Sequence, residues 1–490
     1  MANDTNRFQA IISHCKEYGF IFPSSEIYDG LQAVYDYGQM GAELKKNIKD
    51  YWWKSMTQLS DENIVGIDAA IFMHPTTWKA SGHVDNFNDP MIDNKDSKKR
   101  YRVDHLIEGF ADEQSATGNE QLAKDILAAM DALIAKDDFV GLKKLIEDNK
   151  IKCVVSGTCN WTDIRQFNLM FSTEFGNTVS SDGEDNKIYL RPETAQGIFV
   201  NFLKVQKTGR MKIPFGIAQI GKAFRNEIVA RQFVFRMREF EQMEMQFFIR
   251  PGTQKEWYEK WKSTRLDWHK SLGMPADKYK FHNHVKLAHY ADAACDIEFE
   301  FPIGFKELEG IHSRTDFDLK QHQEYSKKKM QYFDNDVDPE TGKPFGNYIP
   351  YVIETSIGLD RMFLAVMSQA YKEEDLSTEE KKDDRVVLKF PAKLAPIKMA
   401  VLPLTKKDGL PEIAEKIIAD CKSQFRCFYE EKDSIGKRYR RMDALGTPFC
   451  VTVDHQSKED NTVTIRHRDS MEQERVPIDK LKEIVLNAIA

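Results

Sequence analysis

No stretch of the 490-residue chain stays apolar over the roughly 18 residues that a membrane span requires, so the sequence predicts no membrane association. Cysteine is scarce. The seven present (Cys15, Cys153, Cys159, Cys295, Cys421, Cys427 and Cys450) form no C-x-x-C pair, which excludes a disulfide framework. Positive charge is not in excess: 70 Lys and Arg stand against 77 Asp and Glu, for a net charge of −7. That balance excludes a protein that coats nucleic acid non-specifically, because counterion release needs many cations facing phosphates. Only local basic clusters remain, at Lys98, Lys99, Arg100 and Arg102 and at Lys437, Arg438, Arg440 and Arg441. The opening MANDTNRFQA lacks both the basic start and the apolar stretch of a secretion leader, so a cytoplasmic location is expected. Common nucleotide and hydrolase signatures are missing too. None of Gly221-Lys222, Gly342-Lys343 and Gly436-Lys437 precedes the Ser or Thr of a P-loop, and neither H-E-x-x-H nor G-x-S-x-G occurs.

What is present is ordinary for a globular chain, with 41% hydrophobic and 30% charged residues and a length that allows about three domains, each with its own core. Leu44, Ile48, Trp52 and Met56 recur every fourth residue between lysines, the pattern of an amphipathic helix over 40–56. A mostly helical insertion is expected at 85–165, between core residues 1–84 and a sheet-rich stretch at 166–250. A second insertion is expected at 251–295, further core at 296–375, a charged linker at 376–395 and a compact α/β domain at 396–490.

Strand alternation carries the chemistry. In REFEQMEMQFF, Arg238, Phe240, Gln242, Glu244 and Gln246 share one face while Met243, Met245 and Phe247 share the other. In the preceding AFRNE, Arg225 and Glu227 are two apart and are also expected on one strand face. The loop between holds Arg231 and Arg236, whose planar guanidinium groups suit phosphate oxygens. The bland alternative is an antiparallel sheet with one solvated face of ion pairs. YVIETSIGLDRMFLAVMSQAY reads as a strand and then a helix, with Glu354 and Ser356 on one face and Gly358 at the junction. Arg361 then falls in the first helical turn, where a cation opposes the helix dipole, so an external anion or a carboxylate partner is expected beside it.

These blocks resemble motifs 2 and 3 of the class II aminoacyl-tRNA synthetases. The likeness extends to EIYDGLQAVYDYG and its following helix (motif 1), RPETAQG, REFEQMEMQF, ELEGIHSRTDFDL and VIETSIGLDR, which resemble the signature blocks of the dimeric, α2-type glycyl-tRNA synthetases over nearly the whole chain. The HIGH- and KMSKS-like signatures of class I enzymes are absent. The resemblance implies an α+β fold: an antiparallel catalytic sheet flanked by helices, helical insertions and a C-terminal α/β anticodon-binding domain. It implies a glycine–tRNA ligase that forms glycyl-adenylate from glycine and ATP and transfers it to tRNA(Gly). Arg225 would hold the α-phosphate, Glu227 the adenine side, Arg236 and Arg361 the outer phosphates, and Phe235 or Phe240 would stack on the base. Asn226, Met237, Arg238, Glu239, Leu308, Gly358, Leu359 and Asp360 complete the implied ATP site, and Glu307 would hold Mg²⁺ against the triphosphate. Glycine would sit among Arg102, Glu193, Phe240, Glu241, Gln242, Met243, Glu244, Glu354, Thr355, Ser356, Ile357 and Gly358. Glu193, Glu244 and Glu354 would bind its ammonium group while Ser356 limits space, so at least one of the three carboxyls is expected to have a raised pKa without ligand. Lys437, Arg438, Arg440 and Arg441 would meet tRNA phosphates.

Two departures stand out. Gln39 replaces the proline that usually follows Tyr-Gly in motif 1, so the dimer contacts implied there can differ in detail. The four cysteines of a zinc knuckle found in some relatives correspond to Asn94, Ser97, Cys153 and Ser156, and no zinc is expected. Two alternatives stay open: a relative that has lost catalysis, and a class II synthetase for serine, proline or alanine.

Overall fold

The computed structural model describes residues 2–174, 187–228, 232–379 and 383–490. Arg231 lies outside them. The periodic stretch at 40–56 forms the Gln39–Thr57 helix, with Leu44, Ile48 and Trp52 fully buried and Met56 nearly so. Its start presses against the preceding backbone: a Cβ on Gly41 would stand 1.9 Å from the Phe20 carbonyl oxygen, so only glycine fits.

The chain forms two compact units. The larger comprises Met1–Ile71, Glu193–Ala223 and Arg231–Ala490. Its centre is a seven-stranded sheet in the order Tyr279–Asn283, Ala293–Phe301, Gly304–Thr315, Tyr351–Gly358, Glu239–Ile249, Phe215–Phe224, Ile64–Gly66. The first five strands pair antiparallel with one another, and Ile64–Gly66 joins parallel to Phe215–Phe224. Met243, Met245, Phe247, Ile311, Ile353 and Ile357 face a single apolar core shared with Trp52, Trp261 and Trp268. The alternation read in REFEQMEMQFF therefore sets which face is core.

Residues 251–295, expected as a second insertion, are built into the central sheet's own layers. The Gln254–Ser271 helix packs on the Gly304–Thr315 and Tyr351–Gly358 strands, and Tyr279–Asn283 is the sheet's edge strand. Tyr258, Trp261, Arg265, Trp268 and Leu272 make its buried stripe. An arginine interrupts that stripe and disguises it in the sequence: Arg265 Nε and His269 Nε2 reach the buried Glu309 carboxylate at 2.6 and 2.7 Å.

The expected linker also departs from a solvated spacer. Tyr371–Asp375 and Asp384–Leu388 pair as a hairpin, Arg385 is buried on Asp443 at 2.9 Å, and Phe390, Leu394 and Ala395 are buried. Beyond it lies a five-stranded sheet, Cys427–Tyr429, Met399–Pro403, Phe449–Val453, Thr462–His467, Gln473–Pro477, with its own apolar cluster around Val401, Val451 and Ile465.

In the second unit, Phe72–Pro192 with Phe224–Ala230, the helices Val103–Ala116, Glu120–Ile134 and Phe139–Asp148 pack on a core that includes Ile107, Leu142, Ile146 and Trp161. Among the described residues no helix is long and apolar enough to cross a membrane.

Candidate active site

Strand register assembles the polar face. Gln246 stands opposite Glu354, which stands opposite His312, while Glu244 stands opposite Ser356 and then Gly310. With a period of two, each row falls on one side of the sheet. The face is not solvated: Glu244, Gln246 and Glu354 are only 2%, 0% and 4% exposed, so the reading of an open surface of ion pairs fails. Glu354 accepts from Gln246 Nε2 at 2.7 Å and Arg314 Nη1 at 3.0 Å, and lies 2.8 Å from His312 Nδ1. Glu244 accepts from the same Gln246 Nε2 at 2.8 Å and from the Thr194 hydroxyl. Arg314 continues to Asp318 at 2.8 and 3.0 Å, and Gln196 Nε2 bridges Asp318 (3.0 Å) and Glu193 (3.1 Å). Gln242 reaches Ser356 Oγ at 3.4 Å.

The two central carboxyls diverge in acidity. Burial alone would raise Glu354, but the Arg314 charge and the His312 contact override it and hold this group well below the usual carboxylate range. Glu244 departs the other way. Burial, then the charges of Glu354 and Glu193, push it well above that range. A proton shared by the pair is therefore favoured on Glu244 over Glu354. The raised carboxyl expected among the three glutamates is Glu244.

At the strand end, Gly358 leads into the Leu359–Ala370 helix. Arg361 Nη1 lies 2.9 Å from Glu307 Oε2 and its guanidinium sits 4.4 Å from the Phe235 ring centroid. The cation in the first turn thus has a carboxylate partner. The Glu307 side chain is half-exposed at 51%.

Several residues expected to touch ligand have buried or internally paired side chains. Met243, Thr355, Ile357 and Leu308 are at most 1% exposed because alternation sends every second residue of a strand inward, and Leu359, which opens the following helix, is fully buried. Met237 is also buried. Glu241 is held by Lys45 at 2.7 Å and Lys49 at 3.4 Å. Asp360 spends both oxygens internally, on Lys45, Tyr37 and the Glu241 N–H. Glu239 pairs with Lys222, and Arg238 donates to the Gln32 carbonyl at 3.3 Å. Arg236 and Phe240 are half-buried near the strand start.

In the second unit, the strand read through AFRNE stops at Phe224, so Arg225 and Glu227 do not share a strand face; Glu227 N–H closes a tight turn on the Arg225 carbonyl at 2.7 Å. Arg225 donates to the Pro192 carbonyl at 3.0 Å and lies over Phe87, and the Asn226 N–H bonds the Leu169 carbonyl. Arg102 pairs with Asp104 and, at 3.2 Å, with Asp89. The four knuckle positions do converge, but onto one another: Asn94 Oδ1 accepts from Ser97 N–H at 2.9 Å and Ser156 Oγ at 3.0 Å, and Ser97 Oγ lies 3.2 Å from Cys153 Sγ. One thiol among neutral oxygens does not make a tetrahedral zinc set.

In the C-terminal domain Arg438 is 1% exposed and donates to the Pro403 and Glu430 carbonyls at 2.7 and 3.0 Å, so it is a structural residue rather than an RNA contact. Arg440 pairs with Asp383, Arg441 with Glu430 and Asp433, and Lys437 is exposed.

Thr194, Gln246, His312, Arg314 and Asp318 join the site without a ligand role expected from the sequence, although each lies in or beside a signature block. The spacing by two of Gly310, His312 and Arg314 is the sequence signal that marks them.

Residues 177–370 match the tRNA synthetase class II core domain (G, H, P, S and T), residues 89–125 and 116–169 the glycyl-tRNA synthetase insertion domain 1, and residues 398–488 an anticodon binding domain. The chain is 53% identical to a glycine–tRNA ligase of Chlorobaculum tepidum, covering 97% of this chain and 98% of that one. It is 52% identical to one of Treponema denticola (96% and 95%) and 51% to one of Staphylococcus haemolyticus (98% and 99%). The chain belongs to the glycine–tRNA ligase family. A solved structure described as the RNA binding domain of threonyl-tRNA synthetase from Cryptosporidium parvum superposes with a TM-score of 0.62 at 15% identity over 97% of both chains, which supports the class II synthetase fold alone. The class II core match spans the acidic pocket and Arg361, and the anticodon-domain match spans the five-stranded sheet of this glycine–tRNA ligase family member.

Proposed function

We propose that this glycine–tRNA ligase joins glycine to tRNA(Gly) in two in-line steps that need no protein nucleophile. A glycine carboxylate oxygen attacks the α-phosphorus of ATP, the bond to the β-phosphate bridging oxygen breaks, and pyrophosphate leaves glycyl-adenylate. A terminal ribose hydroxyl of tRNA then attacks the glycyl carbonyl, the bond to AMP breaks, and the hydroxyl proton goes to solvent. Arg225 holds the α-phosphate and Arg361 the outer phosphates, while Phe235 or Phe240 stacks on the base. Glu307 has a half-exposed carboxylate at the rim and would meet Mg²⁺ that arrives with the triphosphate, which supplies charge neutralisation there. Among the described residues no group of three His, Cys, Asp or Glu could hold an ion by itself, which suits a metal carried in by ATP.

The observation that carries the reading is the buried Glu244–Gln246–Glu354 cluster. It offers buried carboxylate oxygens that suit an ammonium group, with Ser356 and Gln242 hydrogen-bonded to each other on the same strands. Glu193 completes the ammonium site. A larger amino acid would have to displace these bonded side chains, and selectivity follows from that cost.

The domain at 398–488 binds tRNA, with Lys437 on its exposed surface. The chain works as a cytoplasmic homodimer. Ile27, Tyr28 and Leu31 are 87%, 79% and 57% exposed in the stretch that resembles motif 1, an apolar patch suited to a second copy. Arg225→Ala should abolish glycine-dependent exchange of pyrophosphate into ATP, and wild-type exchange in that variant would sink the assignment.

A further inference from the structure

Asp360 and Arg361 are adjacent in the first turn of the Leu359–Ala370 helix and point to opposite fates. Arg361 crosses Phe235 to Glu307, where anionic ligand would arrive. Asp360 turns inward and is 3% exposed. Its Oδ1 accepts from Lys45 Nζ at 2.7 Å and from the Tyr37 hydroxyl, and its Oδ2 from the Glu241 N–H at 2.7 Å. Lys45 Nζ is also 2.7 Å from Glu241 Oε2 and stands 4.1 Å from the Tyr37 ring centroid. One ammonium group therefore joins three elements: the Gln39–Thr57 helix that carries it, the start of the Glu239–Ile249 strand, and the turn that carries Arg361.

The charges make this more than packing. Lys45 faces two carboxylates, and its side chain and those of Asp360 and Glu241 are only 8%, 4% and 13% exposed. Burying three ions costs desolvation that apolar side chains of similar volume would avoid, so their gain has to be sought in geometry. The turn needs such a restraint, because Gly358 leads into it and a cation at its third position is disfavoured by the helix dipole. Asp360 answers both: it places a negative charge in that turn and ties it to the strand edge.

We propose that Lys45, with Tyr37, is a positioning residue for adenylate formation: it holds Asp360 and Glu241 so that the helix turn presents Arg361 to the phosphates of ATP. The proposal rests on the reading of Arg361 as a phosphate contact. Lys45 itself touches no substrate.

The test uses the full chain and pyrophosphate exchange with ATP and glycine varied separately, in Lys45→Met, Lys45→Arg, Tyr37→Phe and, as reference, Arg361→Ala. Lys45→Met should lower kcat by about 10- to 100-fold, the range expected when an aligning group shifts by about an ångström. Its KM for glycine should stay within about twofold, because the Glu244–Glu354 pocket is untouched. Lys45→Arg keeps the positive charge between Asp360 and Glu241 and should recover most of the lost kcat. A purely structural role would instead lower the folded fraction and leave the rate per folded molecule unchanged. Unchanged kcat in Lys45→Met, or Lys45→Arg as impaired as Lys45→Met, overturns the proposal. If Lys45→Met does not fold, Tyr37→Phe decides: a fall in kcat of about three- to tenfold with glycine KM unchanged supports it, and wild-type kcat overturns it. Normal exchange in Arg361→Ala would instead remove the parent reading, a separate result from failure of the Lys45 variants alone.

Discussion

Glycine should bind more tightly as pH rises, and the reason is the proton on Glu244. In the free enzyme burial and the neighbouring Glu354 and Glu193 charges hold this carboxyl well above the usual range, which favours its neutral form when no ligand is bound. An incoming ammonium group adds a cation beside Glu244 and favours its ionised form, so binding releases a proton. Below the raised pKa of the free enzyme and above the lowered one of the complex, each pH unit is then worth about 1.4 kcal/mol, or about tenfold in affinity. The same group links to stability. Its raised folded-state pKa stabilises the unliganded enzyme fully below the unfolded carboxylate value, and that contribution is lost as pH rises towards the raised pKa. Thermal protection by glycine should therefore grow with pH. Calorimetry in buffers of different ionisation enthalpy counts the proton directly, and exchange kinetics follow KM. Glu244→Gln removes the titration and a charge-assisted hydrogen bond of about 1.5–3 kcal/mol, so glycine affinity should fall about 10- to 150-fold and lose its pH slope. A wild-type glycine KM that is flat with pH, or an unchanged slope in Glu244→Gln, refutes the reasoning.

Arg314→Met leaves Glu354 and Asp318 buried without their shared cation and should cost about 3–5 kcal/mol in urea unfolding. It should also raise the pKa of Glu354 and weaken glycine binding in the same variant. Arg438→Met should destabilise the C-terminal domain by about 1–3 kcal/mol, because the Pro403 and Glu430 carbonyls lose their donor. Lys437→Glu should instead raise the KM for tRNA with stability unchanged, and the two variants together separate a structural arginine from an RNA contact. Tyr28→Glu places a charge in the exposed apolar stretch and should shift a sizing-column profile from dimer to monomer; an unshifted dimer peak would count against that interface.

Local pattern makes part of this protein legible from its residues alone. The four-residue spacing of Leu44, Ile48, Trp52 and Met56 and the alternation through Met243, Met245 and Phe247 depend only on helix and strand periods, so they identify buried faces directly. The same alternation puts Gln242, Glu244 and Gln246 together on one face. A signature block does not by itself separate ligand contacts from their neighbours: Thr355 and Ile357 belong to the same block as Glu354 and Ser356, yet both are buried on the core side.

What chain order does not supply is partnership across distance. Lys45 and Asp360 are 315 residues apart, Arg265 and Glu309 are 44 apart, and Arg385 and Asp443 are 58 apart. Each buried ion reads in sequence as surface charge, and only its partner's position turns it into an interior group. For the same reason Arg438 reads as an RNA contact and the Gln254–Ser271 helix as a polar insertion. Sequence alone determined the strand faces, the blocks that mark the family and the set of acidic residues available for glycine. Tertiary structure decided which carboxyl binds a proton more readily, since acidity depends on what stands opposite: Arg314 and His312 beside Glu354, and the charges of Glu354 and Glu193 beside the buried Glu244.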